Sequence, residues 1–128
     1  MKSLEPWSDH AYALMRIVAG GMFSFHGLQK IAGVLSQMQP PVGSQLWFGG
    51  LIELFGGLAV MLGVQTRPAA FLCSGTMAVA YVQFHWKFQL GPSVFPTINK
   101  GELAALYCVV FFLIACRGGV TWRFDKKS

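Results

Sequence analysis

The side chains able to do chemistry fall at four points: His26 with Gln29 and Lys30, Glu53, His85, and the run Asn99-Lys100-Gly101-Glu102. Each lies inside or at the edge of an apolar stretch. An imidazole donates or accepts hydrogen bonds near neutral pH, and a carboxylate in apolar surroundings can relay a proton. Gln29, Lys30 and Asn99 add the donors and acceptors that hold a polar group in position. Taken singly these are weak signals, because a histidine at a helix end is commonly interfacial and a buried acid is commonly half of an ion pair. One such residue from each of four helices, at comparable depth, is a stronger signal, provided the chain brings those helices together.

Composition says where such helices would sit. Of 128 residues 54% are hydrophobic and only 12% charged, and the mean hydropathy is +0.50, a balance that points to lipid. The net charge of +5 is scattered, with Arg123, Lys126 and Lys127 the one local grouping. That pattern fits a basic tail beside a membrane and gives no footprint for nucleic acid. Cys73, Cys108 and Cys116 form no CxxC or zinc-ligand spacing and read as small buried hydrophobes. Lys2 is accompanied by Glu5 and Asp9 with no small-x-small cleavage site after them, so the first apolar run is expected to stay as an anchor.

The elements that must position the four points are helices over about 9–33, 44–64, 68–86 and 100–117. On the first, Arg16, Ala19, Gly20, Phe23, His26, Gly27 and Lys30 share an arc of about 120°, a face of small and polar residues suited to helix contact. Pro40-Pro41 breaks the chain before the second, whose one charge, Glu53, shares a stripe with Gly49, Gly56, Gly57 and Val60. On the third, steps back from His85 give Tyr81, Ala78, Ser74 and Arg67 as the inward face, with Gln83 and Lys87 pointing elsewhere. Asn99 is placed to cap the fourth. Between Glu102 and Arg117 stand only 14 uncharged residues, about 21 Å of helix against about 30 Å of hydrocarbon, so Glu102 is expected to be immersed. It shares a stripe with Leu106, Val109, Leu113 and Arg117, which is taken as inward. Gly118-Gly119 ends that helix, and the basic tail runs from Thr121 to Ser128.

Short connections make this an all-α, integral-membrane, antiparallel up-down four-helix bundle in one domain. Lys2, Arg67, Arg117, Arg123, Lys126 and Lys127 fall on the side of the termini, and Lys30, Lys87 and Lys100 on the other. The positive-inside rule then puts both termini in the cytoplasm and opens the polar cluster toward the outer face. Arg16 and Arg117, near the opposite leaflet, read as phosphate anchors.

The pattern Arg16, Gly20, His26-Gly27-Leu28-Gln29-Lys30, then Trp47-Phe48-Gly49-Gly50-Leu51-Ile52-Glu53 with Gly56-Gly57 and Leu62-Gly63, then Thr66-Arg67, His85 and Asn99-Lys100-Gly101-Glu102 with Leu106-Tyr107, resembles the DoxX family of small four-helix bacterial membrane proteins. The resemblance covers almost the whole chain. It implies a place in the bacterial inner membrane and a redox class of function, since the family's namesake is a membrane subunit of a thiosulfate:quinone oxidoreductase.

Three readings follow. In the first the chain is a quinone-linked redox component: His26, Glu53, His85 and Glu102 serve the two carbonyls and the two protons, while Gln29, Lys30 and Asn99 seat the headgroup. No cofactor motif is present, so electrons would come from a partner subunit or another donor. In the second the same side chains bind rather than catalyse, as a haem or metal site or a transport site, although the Glu-x-x-His spacing usual for bundle metal sites is absent. In the third the charges only lock a scaffold, and glycine-rich faces allow a homo-oligomer.

Overall fold

Helix α1 spans Ser8–Ala32, preceded by a 3-10 turn over Lys2–Trp7. It stops where Gly33, at φ 68°, takes the left-handed conformation and its N–H donates to the Gln29 carbonyl. Helix α2 runs Gln45–Leu62; the Ser44 hydroxyl caps it by accepting from the Trp47 N–H at 3.2 Å, and Gly63, at φ 72°, closes it. Helix α3 covers residues 66–86, α4 is the single turn Pro96–Asn99, and α5 is Glu102–Arg117. These coordinates, a computed structural model, describe residues 1–126, and over them the chain is all-helical with four long helices. Lys127 and Ser128, assigned above to the basic tail, lie outside the described residues.

The long helices run antiparallel to their neighbours, as their contacts show. Gly20 of α1 lies against Gly57 and Met61 of α2, while Gly27, further along α1, lies against Gly50 and Leu54, earlier in α2. Between α3 and α5, Arg67 meets the end of α5, Ser74 donates to the Cys108 carbonyl at 2.8 Å, and Tyr81 lies on Gly101. Glycine is required at the α1–α2 seam. A Cβ on Gly57 would stand 2.6 Å from the Ser24 nitrogen and 2.7 Å from the Gly20 oxygen, backbone atoms that cannot rotate away. The two helices therefore touch backbone to backbone.

Two stretches are wound more widely than an α-helix. Ile52–Gly56 in α2 and Tyr81–Trp86 at the end of α3 are π-helical, and they contain Glu53 and His85 respectively. Extra residues in such turns shift the phase of a helical wheel, and π turns concentrate at functional sites.

Two of the expected faces are corrected by the structure. On α3 the buried residues are Thr66, Ala70, Cys73, Ser74 and Met77, whereas Ala78 and Arg67 are exposed. On α5 the inward stripe is Ala104, Tyr107, Phe111 and Ile114. The stripe taken as inward, Glu102, Leu106, Val109, Leu113 and Arg117, is the exposed one, with Leu106 at 62% and Val109 at 66%. The acidic charge misled that assignment: Glu102 sits in the first turn of α5, where the helix dipole favours a carboxylate without an inward partner. Cysteine burial also differs by position, Cys73 being buried, Cys108 half-buried and Cys116 exposed, and all three are free.

The end of the bundle that holds the termini is tied by arginines donating to helix-terminal carbonyls. Arg16 is fully buried and donates to Val60 and Met61 of α2, at 2.6 and 2.8 Å, and to Thr121 and Trp122 of the tail, at 3.0 and 2.6 Å. Arg67 donates to the carbonyls of Cys116 and Arg117 at the end of α5, where the Tyr12 hydroxyl donates to Gly118 at 2.7 Å. So Arg16 is a bundle tie rather than a phosphate anchor. Arg117 is exposed; it pairs with Asp9 at 3.3 Å and covers the Tyr12 ring. The tail returns to the α2–α3 turn, where Asp125 accepts from the N–H groups of Gln65 and Thr66 and from the Thr66 hydroxyl, at 2.6 to 2.9 Å. This carboxylate caps α3, which accounts for a helix start two residues earlier than Pro68. Burial works to raise the Asp125 pKa, but the Thr66 and Gln65 hydrogen bonds and the Arg123 charge bring it below the ordinary 3.8.

Candidate functional site

At the opposite end the four long helices line a cavity of about 780 Å³. That volume suits a ligand of small-molecule size. His26 and Lys30 of α1, Glu53 of α2 and His85 of α3 all line it, together with Tyr107 of α5. Most of its wall is apolar, so the few polar atoms define where a ligand's polar part can sit.

Glu53 is 3% exposed, held inward where α2 bears on α1 through Gly50 and Gly57. Its Oε1 accepts from the Lys30 Nζ at 2.7 Å, an ion pair between α1 and α2. Its Oε2 is buried and has no partner among the described residues. Lys30 reaches the acid from the last turn of α1, where a cation also suits the helix dipole, and keeps a third of its side chain exposed. Tyr107 is 6% exposed, and its hydroxyl too is buried without a partner. Its ring stacks on Phe111 and stands edge-on to the His26 ring at 6.3 Å. Buried polar atoms are normally satisfied, and both of these orphans belong to residues that line the same cavity.

The other expected site residues separate into two groups. His26 is half-buried against Tyr107, and His85 faces the cavity with its Nδ1 3.4 Å from the Asn99 carbonyl oxygen. Asn99 itself is turned into the loop: it donates to the Tyr81 hydroxyl at 3.0 Å and the Ser93 carbonyl at 2.9 Å, and accepts from the Gly101 N–H at 2.8 Å. The expected cap is corrected: Gly101 is the N-cap of α5, which has no side-chain cap bond, and Asn99 instead closes a turn on the Gly101 N–H. Gln29 and Glu102 are outside the cavity wall, and Glu102 is exposed. Lys100 takes part in the wall instead.

Tyr107 was missed as a site residue because an apolar run with one hydroxyl reads as core. The signal was there: Ala104, Tyr107, Phe111 and Ile114 follow helical spacing, with Tyr107 the one hydroxyl among them. Gln83, expected to point away, accepts from the Gln45 amide at 2.6 Å across the rim. Among the described residues no group of three or more histidine, cysteine or acidic side chains that could hold a metal ion is found.

A family model described as DoxX matches residues 11–86 of the chain. An uncharacterized protein of Haemophilus influenzae (strain ATCC 51907 / DSM 11121 / KW20 / Rd) is 35% identical over 131 residues, covering 99% of this chain and 97% of its own. No solved structure matches.

Proposed function

The chain belongs to the DoxX family, and from that premise we propose that it is a four-span protein of the bacterial inner membrane, both termini cytoplasmic, that binds a quinone headgroup in the cavity and serves a redox system from there. Membrane insertion is supported by the outer faces. Leu14, Val18, Met22 and Phe25 form an exposed apolar strip along α1, and Leu103, Leu106, Val109 and Phe112 do the same on α5. One described helix, Gln45–Leu62, is long and apolar enough to cross a bilayer by length and composition. α1 carries Arg16 and Lys30 within its length, and α5 has 16 residues, about 24 Å of helix.

The observation that carries the ligand reading is the pair of orphaned atoms, Glu53 Oε2 and the Tyr107 hydroxyl, beside a charged lysine and two imidazoles in an apolar cavity. A quinone presents two carbonyl acceptors. Tyr107, His26 and Lys30 can donate to them, and Glu53 Oε2 can accept from a hydroxyl of the reduced form. Reduction of a quinone takes two electrons and two protons; Glu53 and the histidines supply a proton path, and a partner subunit or diffusible donor supplies the electrons. Glu102, exposed at the start of α5, has no part in this arrangement.

The test is titration of the detergent-purified protein with a quinone analogue, wild type beside Glu53→Gln and Tyr107→Phe. Saturable binding that weakens by about tenfold in each variant is expected, the scale of a lost hydrogen bond in a dry site. Binding unchanged in both folded variants would refute it and leave the Lys30–Glu53 pair as a scaffold lock.

A further inference from the structure

Two sets of helix-interior glycines serve different purposes. Gly20, Gly27 and Gly57 are close-approach glycines whose added Cβ would strike the backbone of the facing helix. Gly49 in α2 and Gly75 in α3 are the opposite: an added Cβ would meet no atom within 4 Å at either. Both lie within helices and both line the cavity. Glycine is among the least favourable residues in a helix interior, and packing explains neither of these two.

Their position shows what the open space is. α2 and α3 touch through residues 52–62 of α2, and the first turns of α2, Gln45–Leu51, make little contact with α3. The helices part there and leave a gap into the cavity. Phe48, Phe71, Leu72 and Phe84 border it, all exposed and apolar. At the rim beyond the gap, the Gln45 amide donates to Gln83 at 2.6 Å and bridges the two helices. The polar orphans lie at Glu53 and Tyr107 inside, so the path from outside to inside runs from apolar to polar.

We propose that the cavity is loaded sideways, from the hydrocarbon phase, and that the tail of a membrane-dissolved quinone lies in the α2–α3 gap over Gly49 and Gly75 while its head meets Glu53 and Tyr107. This rests on the ligand reading above and adds the route and the tail site. The two glycines keep the gap clear, as side chains there would fill it. The Gln45–Gln83 bridge ties α2 to α3 at the rim, so the gap lies between the two helices below it.

Gly49→Leu and Gly75→Leu test this, with a benzoquinone carrying a ten-carbon alkyl tail and its tailless analogue as probes, in nanodiscs. Leucine is a strong helix former, so both variants are expected to fold. In wild type both probes bind, the tailed one more tightly. In each variant the ratio of tailed to tailless affinity falls by about tenfold or more, because the tail loses its apolar contact. An unchanged ratio would overturn the tail site while leaving the head site standing. Parallel loss of both probes in folded variants would place the glycines at the head site and overturn it as well. If wild type binds neither probe, the ligand reading itself fails and takes the tail site with it.

Discussion

Replacing Gly57 by alanine probes the backbone seam on which the position of Glu53 depends. Alanine in a helix interior is favoured over glycine by about 0.8–1 kcal/mol, so propensity alone predicts a more stable protein. Packing opposes this. The new Cβ would lie 2.6 Å from the Ser24 nitrogen, and ordinary contact begins at 3.4 Å, so α1 and α2 must separate by about 0.8 Å. Overpacking of this kind costs about 1–3 kcal/mol, and separating the helices here would also loosen the close approaches at Gly20 and Gly27. The expected result is a net loss of about 1 kcal/mol, rising toward about 2 kcal/mol if the Lys30–Glu53 pair is stretched. Gly49→Ala, with no atom within 4 Å of its Cβ, should instead gain about 0.5–1 kcal/mol. Reversible unfolding in mixed micelles with rising dodecyl sulfate, followed by far-ultraviolet circular dichroism, reads both signs. Two substitutions of the same sign would refute the division of the glycines into seam and gap.

Lys30→Met removes the one partner of a nearly buried acid. It should cost about 2–3 kcal/mol in the same assay, below the roughly 3–5 for a fully buried pair because Lys30 is a third exposed, and adding Glu53→Gln should restore much of the loss. Arg16→Lys should cost at least about 3 kcal/mol, since one ammonium cannot hold both the α2 carbonyls and those of the tail; faster tryptic cleavage after Arg123 would report the freed tail. Because the Asp125 pKa is lowered in the folded chain, its contribution is complete above the ordinary 3.8 and is lost as pH falls through the lower folded value. Tail protection measured downward from about pH 5 should therefore decline below that ordinary value, and Asp125→Asn should remove the decline. A reporter fused after the tail should be active only in its cytoplasmic form; a periplasmic signal would reverse the topology.

The parts of the architecture that follow from local chemistry were legible from the residues. Ser44, Gly33 and Gly63 mark helix ends through a hydroxyl cap and left-handed stops, and they fall where the apolar runs end. The close-packed face of α1 was visible as Gly20, Phe23 and Gly27, all of them buried. What failed was helical phase and partner choice. A wheel drawn at a uniform 100° per residue cannot anticipate π turns at Glu53 and His85, and on α3 it rotated the inward face toward Ala78 and away from Met77. On α5 a single charge was given more weight than the Ala104-Tyr107-Phe111-Ile114 periodicity. Exposed leucines beside it were then read as buried, because in a chain this apolar hydrophobicity alone does not distinguish inside from outside. Asn99 and Glu53 look alike as polar residues at apolar edges; only the loop geometry shows that one is satisfied by Tyr81, Ser93 and Gly101 while the other keeps a free oxygen.

The strap formed by residues 121–125 imposes an order on assembly. Arg16 is made early in synthesis, yet two of its four acceptors are carbonyls of Thr121 and Trp122, and the carboxylate that caps α3 belongs to Asp125. Until those residues emerge, a guanidinium and the first amides of a helix must be served by other partners. The nascent bundle is then a set of helices held open at one end, and closing it is a late event made by a polar segment after all the apolar ones are in place. A chain stalled just before Thr121 would carry every long helix and the whole cavity wall, and still be unfastened at one end.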